Sequence, residues 1–511
     1  MLSTKVKRNT RKANKPNVIW LLAFIFLQLT PCFAEEPFFP LPSFVNGNGS
    51  DDPEIMNDTL KKTAVQTRKR RIGTADERLS QHKEHEWARH LKAQLHLPDW
   101  IDLGIENRTR FESYDHPWRT NQKIGAGRTD PQIALRSRIR IELGGQNPLR
   151  VLFEGQDARA FMDNDSGDFR DTTSVNEWDI LQLLGLLTTE NILGTGLRTD
   201  FHFGRMTLDF GRRRFIARND FRNTTNAFDG FHWQIGRDKI WRVRAFLVEP
   251  VIRDDVSLDK QNTHSLFWGT YAESALTPWF TWNAYYFGLN DQASSVATQR
   301  TYSTFGGRIY KSPAHGELDY EVESAWQIGT RGVTDHFAHF QHLDIGFTFN
   351  LPWSPRILFH YDYASGDRTP TDNTDQRFDT LFGARRFEYM PSGIFGPFFR
   401  TNLNGAGWRM ILQPATGWKI QVKQRFWFLA QSKDSFGSSG LRDPTGHAGT
   451  NLGSDVEFRV QWIINQNVDF DVGYDHWFKG SYFDKLPSSA DLPQGGHKDT
   501  DYFYLSMRIR L

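Results

Sequence analysis

The chain has 511 residues, 62 Lys+Arg against 60 Asp+Glu, one cysteine and a mean hydropathy of −0.57. That balance gives no footprint for nucleic acid, and a lone cysteine excludes a disulfide framework or chemistry resting on sulfur. Beyond residue 34 no run of about 18 apolar residues occurs, which excludes helical membrane spans but not a β-barrel, where only every second residue meets lipid.

Residues 1–34 read as a secretory signal. Lys5, Lys7, Arg8, Arg11, Lys12 and Lys15 precede an apolar run over 18–29, and Cys32-Phe33-Ala34 supplies a cleavage site after Ala34. Cys32 as a lipoprotein acceptor is the weaker reading, because Pro31 stands where a small residue is wanted. Residues 35–74, rich in Pro, Asn, Asp and Gly and followed by a basic cluster at 68–71, are expected to be disordered. Leu79, Trp87, Leu91 and Leu95 then predict a short amphipathic helix over 75–97 that rests on a barrel mouth. The segment 35–98 is too short for a sizeable plug domain.

From Ile101 onward the pattern is β. Leu135, Ile139, Ile141 and Leu143 alternate with Arg136, Arg138, Arg140 and Glu142, giving a mainly apolar face and a charged one. The alternation returns with Trp241, Val243 and Leu247 against Arg242 and Arg244, and with Ile420, Val422, Phe426 and Phe428 against Lys419, Gln421, Lys423 and Arg425. Val456, Phe458, Val460 and Trp462 oppose Glu457, Arg459 and Gln461, and Asp469, Asp471 and Asp475 follow on the polar face of the next strand. The last strand sets Phe503, Leu505, Met507, Ile509 and Leu511 against Tyr504, Ser506, Arg508 and Arg510. A soluble sandwich would bury the apolar face. A barrel in lipid turns it outward and lines water with the charges.

Residues 99–511 hold 46 of the Lys+Arg and 50 of the Asp+Glu, and 36 of those 46 cations are Arg, the side chain that stays ionised in a partly desolvated wall and grips carboxylates with a planar fork. With spanning strands of about 9 to 11 residues plus turns and loops, this region fits 16 to 18 strands of an all-β, transmembrane, antiparallel outer-membrane barrel. Polar stretches at 160–173, 251–262, 366–378, 431–452 and 480–498 read as loops.

The stretch 208–233, LDFGRRRFIARNDFRNTTNAFDGFHW, condenses these features. Leu208 and Phe210 fit an extended segment ending at Gly211; Asp229-Gly230 fits a turn; Phe231 and Trp233 begin the next strand. Between them lie Arg212, Arg213, Arg214, Arg218 and Arg222. The arrangement G-R-x-R-F-I-x-R-x-D-x-R-N-T-x-x-x-F-D-G resembles the central signature of the bacterial alginate export family, and LPWSPRILFHYDYASGD over 351–367 resembles a second block of that family. The resemblance extends from about Pro98 to the C-terminus. It implies an outer-membrane barrel of 18 strands that exports alginate through an electropositive constriction, and it carries Arg214, Arg218 and Arg222 to that constriction.

Alternation alone adds Arg136, Arg138, Arg140, Arg242, Arg244, Arg459, Arg508 and Arg510 as pore residues. Pairing of such arginines with Glu142, Glu457, Asp469 and Asp471 in a lattice that only stiffens the wall is an equal alternative for any one of them. Asp163, Asp165 and Asp168 form a candidate calcium loop that lacks the spacing of the twelve-residue motif, so a solvated loop is the simpler reading. His336, His339 and His342 alternate faces of a strand and do not make a ligand set. No catalytic motif or cofactor signature occurs. The expected function is passive export of an anionic, alginate-like exopolysaccharide, with outer-membrane lipid and periplasmic escort proteins of a secretion complex as partners and no nucleic acid. Uptake of small organic anions or oligosaccharides is the alternative, and an outer-membrane enzyme or adhesin a more remote one.

Overall fold

The computed structural model describes residues 95–511 apart from 117–129, 162–171, 238–239, 278, 294–297, 385–396, 438 and 488–495. The expected signal, the 35–74 segment, nearly all of the expected helix, and the candidate calcium residues Asp163, Asp165 and Asp168 lie outside the described residues.

The strands are β1 (Ile101–Tyr114), β2 (Asp130–Leu143), β3 (Leu149–Phe161), β4 (Asn176–Thr189), β5 (Arg198–Met206) and β6 (Phe228–Arg237). Then come β7 (Trp241–Pro250), β8 (Ser265–Ser274), β9 (Thr281–Asp291), β10 (Arg300–Lys311), β11 (Leu318–Arg331), β12 (Thr334–Thr348) and β13 (Arg356–Ala364). The two-residue β14 (Thr374–Asp375) precedes β15 (Leu403–Leu412), β16 (Trp418–Phe428), β17 (Asn451–Ile463), β18 (Val468–Lys479) and β19 (Thr500–Arg510). Each of the others pairs antiparallel with its chain neighbour, β13 passes directly to β15, and β19 pairs with β1. The result is a closed antiparallel barrel of 18 strands with β14 added inside a loop. Closure leaves no edge with unpaired backbone groups, which is what a sheet in hydrocarbon requires.

Burial is inverted relative to a soluble protein. Ile139, Leu247, Val322, Phe359 and Phe458 are exposed, whereas Arg136, Arg108, Arg308 and Arg425 are buried. Alternation places the first set on lipid and the second in the lumen. Trp100, Trp279 and Trp353 stand exposed at the end that holds the short turns and both barrel termini, where an aromatic rim meets the membrane interface. By the rule for outer-membrane barrels, this turn end faces the periplasm and the long loops face outside.

Two of those loops fold inward. The 207–227 loop and the 365–402 loop pair in parallel across Ile216 and Phe382: Phe382 N–H donates to the Phe215 carbonyl at 2.9 Å, Ala217 N–H to Phe382 at 3.1 Å, and Ala384 N–H to Arg213 at 2.8 Å. Both loops pack on lumen-facing aromatics of the wall, Phe215 meeting Phe340 edge-on at 5.7 Å and Phe382 meeting Phe267 at 4.9 Å.

Here two expectations need correction. Strand β5 ends at Met206, so Leu208 and Phe210 belong to the inward loop, buried against Phe246 and Tyr271 rather than in the wall. Alternation does not distinguish a wall strand from an extended segment buried on the lumen side. Asp229-Gly230 is the start of β6, not a turn. Gly230 does take a positive φ of 152°, and a Cβ there would stand 2.3 Å from the Leu247 carbonyl oxygen of β7.

Candidate functional site

The 207–227 loop crosses the bore from wall to wall. At one side Arg214 pairs with Glu321 at 2.7 Å and with Glu323, both on β11. Six residues on, Asp220 meets β1, β2 and β19, nearly opposite in an 18-strand ring. Six residues of extended chain reach about 20 Å, and long arginine side chains close the remaining gap. Asp220 accepts from Arg136 at 2.9 Å, Arg138 at 3.0 Å and Arg508 at 3.1 Å, and Arg108 donates to its carbonyl at 2.7 Å.

Most arginines expected on a constriction are in this lattice or beside it. Arg136 also contacts Glu106 at 2.9 Å, and Arg138 contacts Gln156 at 3.1 Å. Arg140 pairs with Glu142 at 3.1 Å, Arg218 with Glu154, and Arg510 with Asp469 at 2.6 Å and Glu106 at 3.4 Å. Arg222 donates to the Thr224 carbonyl at 3.2 Å and to Asn226 within its own loop. Arg242 and Arg244 share Glu273, with Arg244 also stacked over Phe210 at 4.3 Å. Arg459 grips Asp471 through two nitrogens at 2.9 and 2.7 Å. Of the carboxylates expected in a stiffening lattice, Glu142, Asp469 and Asp471 take arginine partners, and Glu457 takes Lys423 at 2.6 Å. Low exposure accompanies the pairing: Arg136 is 0% exposed and Arg214 1%. A guanidinium so enclosed holds the loop and the wall together, and it meets cargo only if the loop moves.

A different set of cations meets open space. A cavity of about 250 Å³ at the turn end is lined by Arg212, Lys311, Arg356, Arg409, Lys419 and Arg459 against Asp319, Glu321 and Asp344, with Tyr310 and Tyr320 beside them. Five of these cations lie on the lumen side with the three acids, whereas Lys311 is in register with the outward Tyr320 and pairs with Glu317 at 2.9 Å; Arg212, Arg409 and Lys419 are only half-buried. Arg356 is held on Asp319 at 3.0 Å, and Arg212 leans on Glu321 at 3.6 Å. Of the expected pore residues only Arg459 lines this cavity. Sequence reasoning missed Arg409, Arg356 and Lys419 as site residues, although Lys419 was visible on a charged face. It also missed Asp220, which stands inside the family-like motif, and the Glu106, Arg108 and Arg110 alternation of β1.

Among the described residues no group of three or more His, Cys, Asp or Glu is placed to hold a metal ion. His336 and His342 face the lumen on β12 while His339 faces away and stacks on Tyr363.

A family model described as alginate export matches residues 99–491. No curated protein matches the sequence. The barrel is similar to the outer membrane protein opdK of Pseudomonas aeruginosa, at 10% identity and TM-score 0.53 over 80% of this chain and 98% of that one. It is similar also to OccK8 (OprE) of the same organism, at 12% and 0.53 over 80% and 98%, and to OccAB4 of Acinetobacter baumannii, at 9% and 0.53 over 81% and 100%. At such identities the likeness is one of fold. The family match spans nearly the whole barrel, and with the apolar outer face and charged lumen it identifies the chain as a member of the alginate export family and an outer-membrane β-barrel channel.

Proposed function

We propose that the channel passes an anionic polysaccharide of the polyuronate type outward, and that the polymer enters at the cationic turn-end cavity. Residues 1–34 are proposed to be removed as a secretory signal. The observation that carries the reading is the set of half-buried cations on that cavity, Arg212, Arg409 and Lys419, in contrast to the enclosed Arg214 and Arg218 of the crossing loop. A polyuronate bears one carboxylate on each sugar, and a guanidinium fork takes a carboxylate in two parallel hydrogen bonds. Asp319, Glu321 and Asp344 keep each contact weak enough for the next sugar to displace it, the condition for conduction rather than capture. Once past the cavity the chain meets the 207–227 loop, so conduction of a polymer requires that loop to shift from the lumen. Periplasmic escort proteins fit the same reading as the source of an oriented polymer.

The test is electrical. Purified protein in planar bilayers is expected to prefer chloride over potassium, and polyuronate added on the turn-end side is expected to reduce the current more than neutral dextran of equal length does. A preference for potassium overturns the basic-entry reading. Saturable flux of citrate with no block by polyuronate points instead to uptake of small anions.

A further inference from the structure

A second chemistry sits on the lumen wall between β5 and β6, away from the turn-end cavity. His202 and His232 are cross-strand partners, 30 residues apart in the chain, and both side chains point inward. Their Nδ1 atoms are 3.2 Å apart, the rings tilted by 52° with centroids 5.0 Å apart. His232 is 5% exposed and flanked by Phe210 at 6.0 Å, its Nε2 has no hydrogen-bond partner, and its polar contact is the hydrogen-bond-length approach of its Nδ1 to that of His202. His202 is only half-buried.

We infer that His202 and His232 form a site for a divalent transition metal of the imidazole-binding kind, zinc, copper(II) or nickel. Two imidazole nitrogens in the tetrahedral shell of zinc, each 2.0–2.1 Å from the ion, lie about 3.3 Å apart, and the observed separation is within about 0.1 Å of that. The ion would take one lone pair from each Nδ1, leaving the protons on Nε2. As no third His, Cys, Asp or Glu converges among the described residues, the remaining positions fall to water or to a ligand from the lumen. The charged groups that face the pair are Asp200, Glu142, Arg150, Arg198, Arg242 and Arg244. The guanidiniums are matched by Glu142 at 2.6 Å from Arg150, Asp200 at 3.1 Å from Arg198, and Glu273 beside Arg242 and Arg244. Four cations against three carboxylates leave a slight positive field. This disfavours a hard cation held by charge alone and selects one that binds nitrogen strongly, so calcium and magnesium are not expected there.

The experiment uses the full-length barrel in detergent, stripped with EDTA and titrated with zinc by calorimetry. One tight zinc equivalent is expected, insensitive to excess magnesium and weakened at least tenfold in His202→Ala and in His232→Ala. His264→Ala, on an exposed loop, should leave it unchanged. Copper(II) bound to wild type should show two equatorial nitrogens by electron paramagnetic resonance. Heat-modifiable mobility on gels verifies folding, and the pair His202→Asn and His232→Gln serves if an alanine variant does not fold. Absence of a tight zinc equivalent in the wild type, or an isotherm for the folded double variant that superimposes on it, overturns the site.

Discussion

Gly383 lies so close to Arg214 that a Cβ on it would stand 1.8 Å from the Arg214 carbonyl oxygen and 2.4 Å from the carbonyl carbon. The two residues belong to different loops, and their contact lies beside the parallel bridge of Ile216 with Phe382 that joins both loops in the lumen. Only glycine permits that approach. The neighbouring hydrogen bonds, Phe382 to Phe215 and Ala384 to Arg213, form on either side of it.

Gly383→Ala should therefore part the two loops without harming the wall. A backbone hydrogen bond contributes about 1 kcal/mol net, so loss of two shifts a closed-to-open ratio by roughly thirtyfold. Single-channel recordings are expected to show longer and larger open events, with heat-modifiable mobility unchanged. Conductance identical to wild type would mean that the pairing does not restrict the bore.

The two classes of arginine should separate experimentally. Arg136 is enclosed between Glu106 and Asp220, so Arg136→Met leaves those carboxylates short of a partner at a cost of about 3 kcal/mol, read as a lower unfolding temperature. Arg409→Gln, on the cavity, should leave that temperature within a degree or two and weaken polyuronate block about tenfold. If Arg409→Gln destabilises as much as Arg136→Met, the division between scaffold and contact residues fails.

The wall was legible because lipid on one side and water on the other impose a period of two on every spanning strand; β16 and β19 fall where alternation puts them. Arginines on the charged faces were legible for the same reason. Which of them reach open space was not, because that depends on a loop crossing from β11 to β1 and on a second loop meeting it around residue 382. Leu208 and Phe210 alternate like wall residues because the lumen near β7 and β8 is itself aromatic. Pairs such as His202 with His232 or Asp179 with Asp259 depend on strand register and loop path, which no local pattern encodes.

The 251–264 loop is fastened to β4 by a carboxyl pair. Asp259 N–H donates to Asp179 at 3.0 Å, and the Asp259 carboxyl accepts from Asn176 at 2.9 Å and from the Asp254 N–H at 2.9 Å. Burial, with the Asp179 carboxyl beside it, pushes the Asp259 carboxyl up to about 7 from an ordinary 3.8. The folded latch thus holds a proton that the unfolded chain releases. Its stabilisation is complete below about pH 3.8, declines above that and is lost as pH rises through about 7. Hydrogen exchange in the loop should be slower at pH 6 than at pH 8 after correction for intrinsic rates, and Asp259→Asn should abolish the difference. A wild-type loop indifferent to pH would dismiss the latch.

The outward face offers the most direct check on orientation. Phe359 lies mid-strand on β13, 48% exposed, opposite Ile345 of β12, while its chain neighbour His360 is buried on the lumen side. If lipid covers Phe359, an arginine there must leave water for hydrocarbon, at a cost of about 2–4 kcal/mol near the bilayer midplane. Phe359→Arg should lower the yield of folded barrel in thick bilayers and be tolerated better in thin ones, where the guanidinium reaches the interface. In detergent, whose apolar shell deforms around the charge, the penalty should shrink. An equal folding yield in every thickness would place Phe359 against water, and the alternation that assigns every other spanning residue to lipid or lumen would have to be reversed.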